Sequence, residues 1–123
     1  MNERVTGVGG VFVRAADPKA LAAWYAEHLG IDVESWNGAV FTAAAADVTV
    51  WALFADDTDY FGPTSQQQMV NFRVRDLDAM LAQLRDAGTP VDAKVHESEQ
   101  GRFGWATDPE GNRFELWQPP DGG

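Results

Sequence analysis

Cysteine is absent from this chain of 123 residues, and the absence excludes several kinds of chemistry. The protein can form no disulfide bond, has no thiol nucleophile and cannot build a cysteine-ligated zinc site. Basic residues are also few: nine lysines and arginines stand against nineteen acidic residues, which gives a formal net charge of −10. A surface of this sign repels phosphate groups. We therefore expect neither nucleic acid nor a membrane surface as a partner.

Long apolar runs are missing as well. No stretch approaches the roughly 20 apolar residues of a membrane-spanning helix, and the N-terminus lacks the pattern of a secretory signal. We therefore expect a cytoplasmic protein that forms one domain over residues 1–123. Aromatic residues, by contrast, are plentiful, with five tryptophans and seven phenylalanines. Large rings in this number can fill a core or line a ligand-binding pocket.

The chain contains an internal repeat. Residues 13–21 and 72–80 align at a constant offset, with an arginine, an aspartate and an alanine in register. Each copy reads as a strand followed by an aspartate at a helix N-cap, and the two helices end near Gly30 and Gly88. The second halves of the copies also align. The repeat predicts an α+β fold in which two tandem βαβββ modules form a curved mixed sheet around a cleft.

The repeat also sets the boundaries within the domain. Module 1 covers about residues 7–55, a polar connector covers about residues 55–68, and module 2 covers about residues 69–119. The connector contains two neighbouring aromatic residues, Tyr60 and Phe61. Two interpretations of this pair stay open: the rings attach the connector to the domain, or they form a lid over the cleft.

A tight turn is predicted at residues 108–112, which read Asp-Pro-Glu-Gly-Asn, and the strand after it carries Glu115 among apolar neighbours. Together with Arg14 and Asp17 ahead of residues 24–30, this organisation resembles the vicinal oxygen chelate superfamily. That superfamily contains glyoxalase I, bleomycin-resistance proteins and extradiol dioxygenases. The resemblance covers nearly the whole chain. It implies paired βαβββ modules, usually a homodimer, and often a divalent metal held by four inward side chains.

The resemblance implies metal ligands in the first and last strands of each module, and only one of the four positions keeps a ligand. Glu115 matches the family's glutamate, whereas Gly10 stands where histidine or glutamine is expected and Met69 where histidine is expected. The fourth position falls on Ala52, or on Trp51 after a slip of one residue. These side chains cannot bind a hard cation. We therefore expect no cofactor; if a divalent metal is present, Glu115 is its ligand.

Strand alternation assigns the other residues of the predicted cleft. Residues 11 and 13, 70 and 72, and 114 and 116 are apolar and are expected to pack under the helices. The candidate ligand-binding residues lie on the opposite faces and in the connector: Phe12, Arg14, Asn71, Arg73, Trp117, Tyr60 and Phe61. One hypothesis is that an arginine replaces the metal's charge and pairs with Glu115, leaving the other arginine for a ligand carboxylate. The alternative is an arginine–glutamate pair that only balances charge between the modules.

Glu115 and His96 are the candidate catalytic residues. His96 precedes the predicted hairpin and could act as a general base at the cleft mouth, with a structural or solvated role as the alternative. His28 lies late in the first helix, where a cation complements the helix dipole.

These observations favour a glyoxalase/bleomycin-resistance-like protein that binds a small organic molecule in an aromatic cleft without the family's usual metal site. One alternative is a lyase or isomerase that uses Glu115 or His96 as a base, with arginines stabilising an oxyanion. Another is a metal enzyme of the glyoxalase or dioxygenase type with Glu115 as a ligand. Whether the protein is an enzyme stays open at the level of sequence.

Overall fold

A computed structural model describes residues 3–4, 8, 10–62 and 65–120. These residues form two α-helices and four β-strands, which confirms the predicted α+β class. In chain order the elements are α1 (Pro18–Leu29), β1 (Asn71–Arg73), α2 (Leu77–Asp86), β2 (His96–Ser98), β3 (Gly101–Thr107) and β4 (Arg113–Gln118). Neither of these two helices is long and apolar enough to cross a membrane.

Both helices begin at the predicted aspartates. The side chains of Asp17 and Asp76 each accept a hydrogen bond of 3.0 Å from the backbone N–H three residues later. This bond satisfies one of the free donors at a helix N-terminus, which is worth about 1 kcal/mol. The first helix ends at Gly30 in a left-handed conformation (φ 70°), as predicted. The C-cap of α2 is Ala87, and Gly88 follows it with φ 80°.

The four strands form one mixed sheet in the order β1-β4-β3-β2. Strand β1 runs parallel to β4, whereas β3 is antiparallel to both β4 and β2. All four strands belong to module 2. In the described part of module 1, α1 is the regular element, and its flanking segments lie outside any strand. The strand pairing expected for module 1 is therefore not seen in the described residues.

The helices cover one face of this sheet. Leu77, Leu81 and Leu84 of α2 are fully buried against Phe114 and Leu116 of β4. Complete burial of one such side chain contributes about 1.5–3 kcal/mol. These contacts confirm the apolar face that alternation predicted for β4. The corresponding pair at residues 11 and 13 instead stays more than half exposed.

The predicted turn at residues 108–112 joins the two modules. The buried carboxylate of Asp108 accepts hydrogen bonds from the backbone N–H groups of Glu110 and Asn112, at 2.9 and 3.0 Å. It also accepts one of 2.8 Å from the phenol of Tyr25 on α1. The Glu110 carboxylate in turn accepts bonds from the backbone N–H groups of residues 16 and 17, just ahead of α1. The turn thus positions the first helix over the second module and leaves the opposite face of the sheet without a helix.

Candidate functional site

The face of the sheet without a helix carries the polar and aromatic residues of the strands; we call it the open face. Alternation places Arg113, Glu115 and Trp117 of β4 on it. The strand register sets Asn71 of β1 on one side of Glu115 and Trp105 of β3 on the other. A carboxylate therefore lies at the centre of the open face, between an amide and an indole.

Glu115 is only 7% exposed, and three neutral groups donate hydrogen bonds to it. The Asn71 side-chain amide donates to Oε1 at 2.6 Å, and the Trp105 indole N–H donates to Oε2 at 3.0 Å. The phenol of Tyr60, in the connector, also donates to Oε2. Such bonds stabilise a buried carboxylate because they replace its hydration. The structure thus differs from the hypothesis of an arginine paired with Glu115.

Tyr60 brings the connector onto the open face. Its ring stacks on Phe54, with centroids 5.3 Å apart, and meets Trp105 edge-on at 5.8 Å. Phe61 contacts the same Phe54 ring at 5.1 Å. Burial, followed by the hydrogen bond to Glu115, raises the pKa of Tyr60 above its ordinary value. The Tyr60 phenol is therefore protonated at neutral pH and acts as a donor.

Two arginines of the sheet are engaged by other residues. Arg73 donates to the backbone carbonyl of Val48 at 2.7 Å, and its guanidinium lies 3.5 Å from a carboxylate oxygen of Asp47. Arg113 forms an ion pair of 2.9 Å with Asp92, and its guanidinium lies 5.5 Å from the centroid of the Trp105 ring. A cation over an indole face holds that ring in position. Arg113 thus supports the site without contacting the carboxylate of Glu115.

The two candidate residues ahead of α1 lie outside this cluster. Phe12 is 92% exposed, and Arg14 is exposed too. The segment that carries them lies outside the sheet. Strand alternation predicted which way these side chains point, but it holds only where a segment pairs with a neighbouring strand.

A second row of rings crosses the open face beside the first. The register aligns His96, Phe103 and Trp117 on adjacent strands. The Phe103 and Trp117 rings are nearly parallel, at 7°, with centroids 6.1 Å apart, and His96 lies 6.2 Å from Phe103. The Trp117 indole donates to the carbonyl of Gln100 at 2.8 Å, which fixes its orientation. Trp117 and His96 therefore lie on the same face as Glu115; alternation predicted this for Trp117, whereas for His96 a place at the cleft mouth was one of two alternatives.

A cavity of about 280 Å³ opens between the rings; it is lined by Tyr60, Lys94, Val95, His96 and Trp105. Its volume is close to the lower end of the roughly 300–1,000 Å³ typical of small-molecule sites. The rings of Tyr60 and Trp105 separate the cavity from Glu115. A crevice of about 270 Å³ lies elsewhere, near the end of α1, among residues such as Phe41, Phe72 and Met80. The first cavity is the functional candidate because two of its lining residues, Tyr60 and Trp105, donate hydrogen bonds to the buried carboxylate of Glu115.

Trp105, a central residue of the site, was not among the sequence candidates. A signal for it does exist: a hairpin closed by the turn at residues 108–112 pairs positions equally distant from that turn, which sets residue 105 opposite residue 115. Lys94 was also missed. Its segment precedes β2, and only the cavity shows what it faces.

The residues around Glu115 do not fit the metal that the fold family implies. An amide, an indole and a phenol direct hydrogens at the carboxylate, whereas a divalent cation requires ligands that direct lone pairs at it. Across residues 10–62 and 65–120, no three histidine, aspartate or glutamate side chains come together in a way that could hold an ion.

Comparison with known proteins agrees with this fold. Residues 10–117 match the family model of the glyoxalase-like domain. TnmS3, an antibiotic-binding protein from Streptomyces sp. CB03234, is 25% identical, with 97% of this chain and 100% of that chain covered and a TM-score of 0.61.

Two further solved structures share the fold. A member of the glyoxalase/bleomycin resistance protein/dioxygenase superfamily from Sphaerobacter thermophilus is 18% identical, with 93% and 98% of the two chains covered and a TM-score of 0.58. A lactoylglutathione lyase from Agrobacterium tumefaciens is 14% identical, with 94% and 96% covered and a TM-score of 0.57. Comparison with curated proteins gives no match. With its family model matched over residues 10–117, the chain belongs to the glyoxalase-like domain family of the vicinal oxygen chelate superfamily.

Proposed function

We propose that this protein binds a small organic molecule on the open face of its sheet, beside Glu115. The observation that carries the proposal is a buried carboxylate with neutral donors, two of which, Tyr60 and Trp105, line an aromatic cavity. A cavity walled by rings, with a few fixed polar groups, is the usual form of a site for a planar organic ligand. The similarity to an antibiotic-binding protein supports the same class of function.

Binding on this face is proposed without a metal, because the neutral donors that contact Glu115 replace the hydration of its carboxylate. Trp105 and the Phe103–Trp117 pair supply flat apolar surface for a ring. Lys94 and His96 also line the cavity and can meet polar substituents. We propose that the protein acts in the cytoplasm, as the sequence predicts.

A metal-independent lyase or isomerase is the second candidate. The observation in its favour is that Tyr60, which lines the cavity, donates to Glu115, so that a substrate in place of the ring would lie within hydrogen-bond reach of a general base. In this alternative Tyr60 leaves Oε2 free to accept a substrate proton. A substrate-dependent proton exchange that is lost in Glu115→Gln separates it from binding alone.

We infer further that the protein is a homodimer. Apolar side chains of module 1 are exposed over residues 38–54, among them Phe41, Trp51 and Leu53, which is 81% exposed. An exposed apolar surface of this extent is typical of an interface. The internal repeat favours a second copy of this chain as the partner that covers this surface, because each module could pair with its counterpart in the other chain.

Indole resonances test the binding proposal. The five tryptophan N–H signals are followed by NMR while 4-methylphenol and toluene are added to the wild-type protein and to Tyr60→Ala, in which the ring over Glu115 is removed. We expect saturable shifts of the Trp105 and Trp117 signals, assigned with Trp→Phe variants. Shifts confined to Trp36 and Trp51, which lie away from the cavity, or no shift in either protein, would refute the proposal.

A further inference from the structure

Tyr60 occupies the open face in the way that a ligand would. Its ring lies between Phe54 and Trp105, and its hydroxyl donates to the buried carboxylate of Glu115. The two contacting groups are 55 residues apart in the chain, so the bond joins the connector to the last strand. An aromatic ring between two rings, with its hydroxyl on a fixed acceptor, is a complete recognition pattern for a phenol.

The three donors to Glu115 differ in how firmly the fold holds them in place. Asn71 and Trp105 lie on strands adjacent to β4, where the sheet fixes them. Tyr60 lies in a turn of the connector, and the Phe54 ring that it stacks on is itself 50% exposed. The buried core at α2 and β4 does not include Tyr60. Its ring can therefore leave the site while the sheet and the two fixed donors stay in place.

The departure of Tyr60 would leave Oε2 without its phenol donor. A buried acceptor that loses a hydrogen bond carries a desolvation penalty, which is larger for a charged group. A ligand that takes the place of the ring must therefore bring an O–H or N–H of its own. An anionic oxygen would be repelled by the carboxylate, and a bare hydrocarbon would leave Oε2 one donor short, with the Trp105 indole still bound to it.

We propose that Tyr60 is a built-in surrogate ligand, and that the open face takes a planar aromatic molecule whose hydroxyl displaces the Tyr60 phenol from Glu115. The inference rests on the proposed binding function and adds to it the class of ligand. The adjoining cavity of about 280 Å³ joins the space vacated by the Tyr60 ring, so the ligand can be larger than a single phenol. Tyr60 thereby also lowers the apparent affinity for the ligand, since the ligand must displace the Tyr60 ring in order to bind.

The test replaces the internal phenol by a free one. The dissociation constants of 4-methylphenol, which is the tyrosine side chain without its backbone, and of toluene are measured from the Trp105 indole signal. We expect Tyr60→Ala to bind 4-methylphenol at least tenfold more tightly than the wild type and at least tenfold more tightly than it binds toluene. Adding Glu115→Gln to Tyr60→Ala is expected to reduce the preference for the hydroxyl to below about threefold.

Two further variants keep the test decisive. Gln67→Ala changes an exposed connector residue and is expected to match the wild type. Tyr60→Phe keeps the ring and removes only the hydrogen bond, so it is expected to bind 4-methylphenol several-fold more tightly than the wild type. It takes the place of Tyr60→Ala if circular dichroism shows that the alanine variant does not fold.

The outcomes separate the two proposals. If Tyr60→Ala binds both probes equally well, or if neither Tyr60 variant binds 4-methylphenol more tightly than the wild type, the surrogate-ligand inference is wrong while the binding function stands. If neither probe shifts the Trp105 or Trp117 signal in any variant, both proposals are wrong.

Discussion

The indole N–H of Trp105 donates a 3.0 Å hydrogen bond to Glu115 across the β3–β4 hairpin. The bond connects Glu115, which matches the family's metal-ligand position, to an indole N–H, which cannot be a metal ligand. It also fixes the plane of that ring, over which the guanidinium of Arg113 lies. The open face therefore has a fixed aromatic wall, the Trp105 ring, between the buried carboxylate of Glu115 and the cavity.

Trp105→Phe is expected to destabilise the protein. The substitution keeps a ring but leaves one donor fewer for a carboxylate that is 7% exposed, which costs about 1–3 kcal/mol. Urea denaturation followed by circular dichroism measures the change in the free energy of unfolding. Trp36→Phe, at a tryptophan that is 61% exposed, is the matched control and is expected to stay within about 0.5 kcal/mol of the wild type. Equal effects at both positions would contradict the role assigned to the hydrogen bond.

The stability of the protein is expected to fall as the pH rises above about 10. Burial raises the pKa of Tyr25 and of Tyr60, with the carboxylates of Asp108 and Glu115 adding to the effect. A phenol whose pKa is raised in the folded state contributes stability that is fully present below its unfolded pKa of about 10 and is lost above it. Ultraviolet absorbance measures the ionisation of the two phenols, and no other tyrosine contributes to the signal because the chain has only these two. Normal titration of both near pH 10 in the folded protein would be the contrary result.

Glu110→Ala is expected to weaken the connection between the turn and α1. The carboxylate accepts two backbone hydrogen bonds, of 2.7 and 3.0 Å, from residues just ahead of the helix. Their loss is expected to cost about 1 kcal/mol, measured by thermal or urea unfolding. Glu99→Ala, at an exposed glutamate in the turn between β2 and β3, removes the same charge and is the control. A cost no larger than that of the control would show that the turn holds α1 by other contacts.

Leu53→Asp is expected to disrupt the inferred homodimer. Leu53 is 81% exposed within the apolar segment of module 1, and a charge there opposes burial against a second copy. Sedimentation velocity is expected to show a dimer for the wild type and a monomer for the variant. Ala82→Asp, on an exposed position of α2, adds the same charge elsewhere and is expected to leave the dimer intact. A monomeric wild-type protein at concentrations well above those of the assay would rule the dimer out.

Local features of the fold could be predicted because their causes lie close together in the chain. The aspartate N-caps at Asp17 and Asp76 bond to backbone groups three residues away, and the turn at residues 108–112 closes on its own carboxylate. Alternation along β4 placed Glu115 and Trp117 on one face and residues 114 and 116 on the other. Each of these features depends on geometry within a few residues.

The partners of the site residues could not be predicted in this way. Arg73 pairs with Asp47, and Arg113 pairs with Asp92, whereas the sequence suggested an arginine on Glu115. All of these carboxylates were available to the arginines in principle. Which carboxylate each arginine pairs with depends on which segments the fold brings within a few ångströms of it. Because neutral donors already satisfy the buried Glu115, the arginines pair with the more exposed carboxylates of Asp47 and Asp92.

The sequence by itself determined the family, the α+β class, the positions of both helices and the face on which Glu115 lies. The repeat is visible when the sequence is aligned with itself, and caps and strand alternation are properties of short segments. Only the tertiary structure decided what surrounds that carboxylate. Tyr60 reaches it from the connector through chain packing that no local pattern encodes. Trp105 reaches it from the neighbouring strand, in the register that the hairpin turn sets. The physical reason is that a buried carboxylate requires donors, and the fold supplies them from whichever segments it places against the sheet.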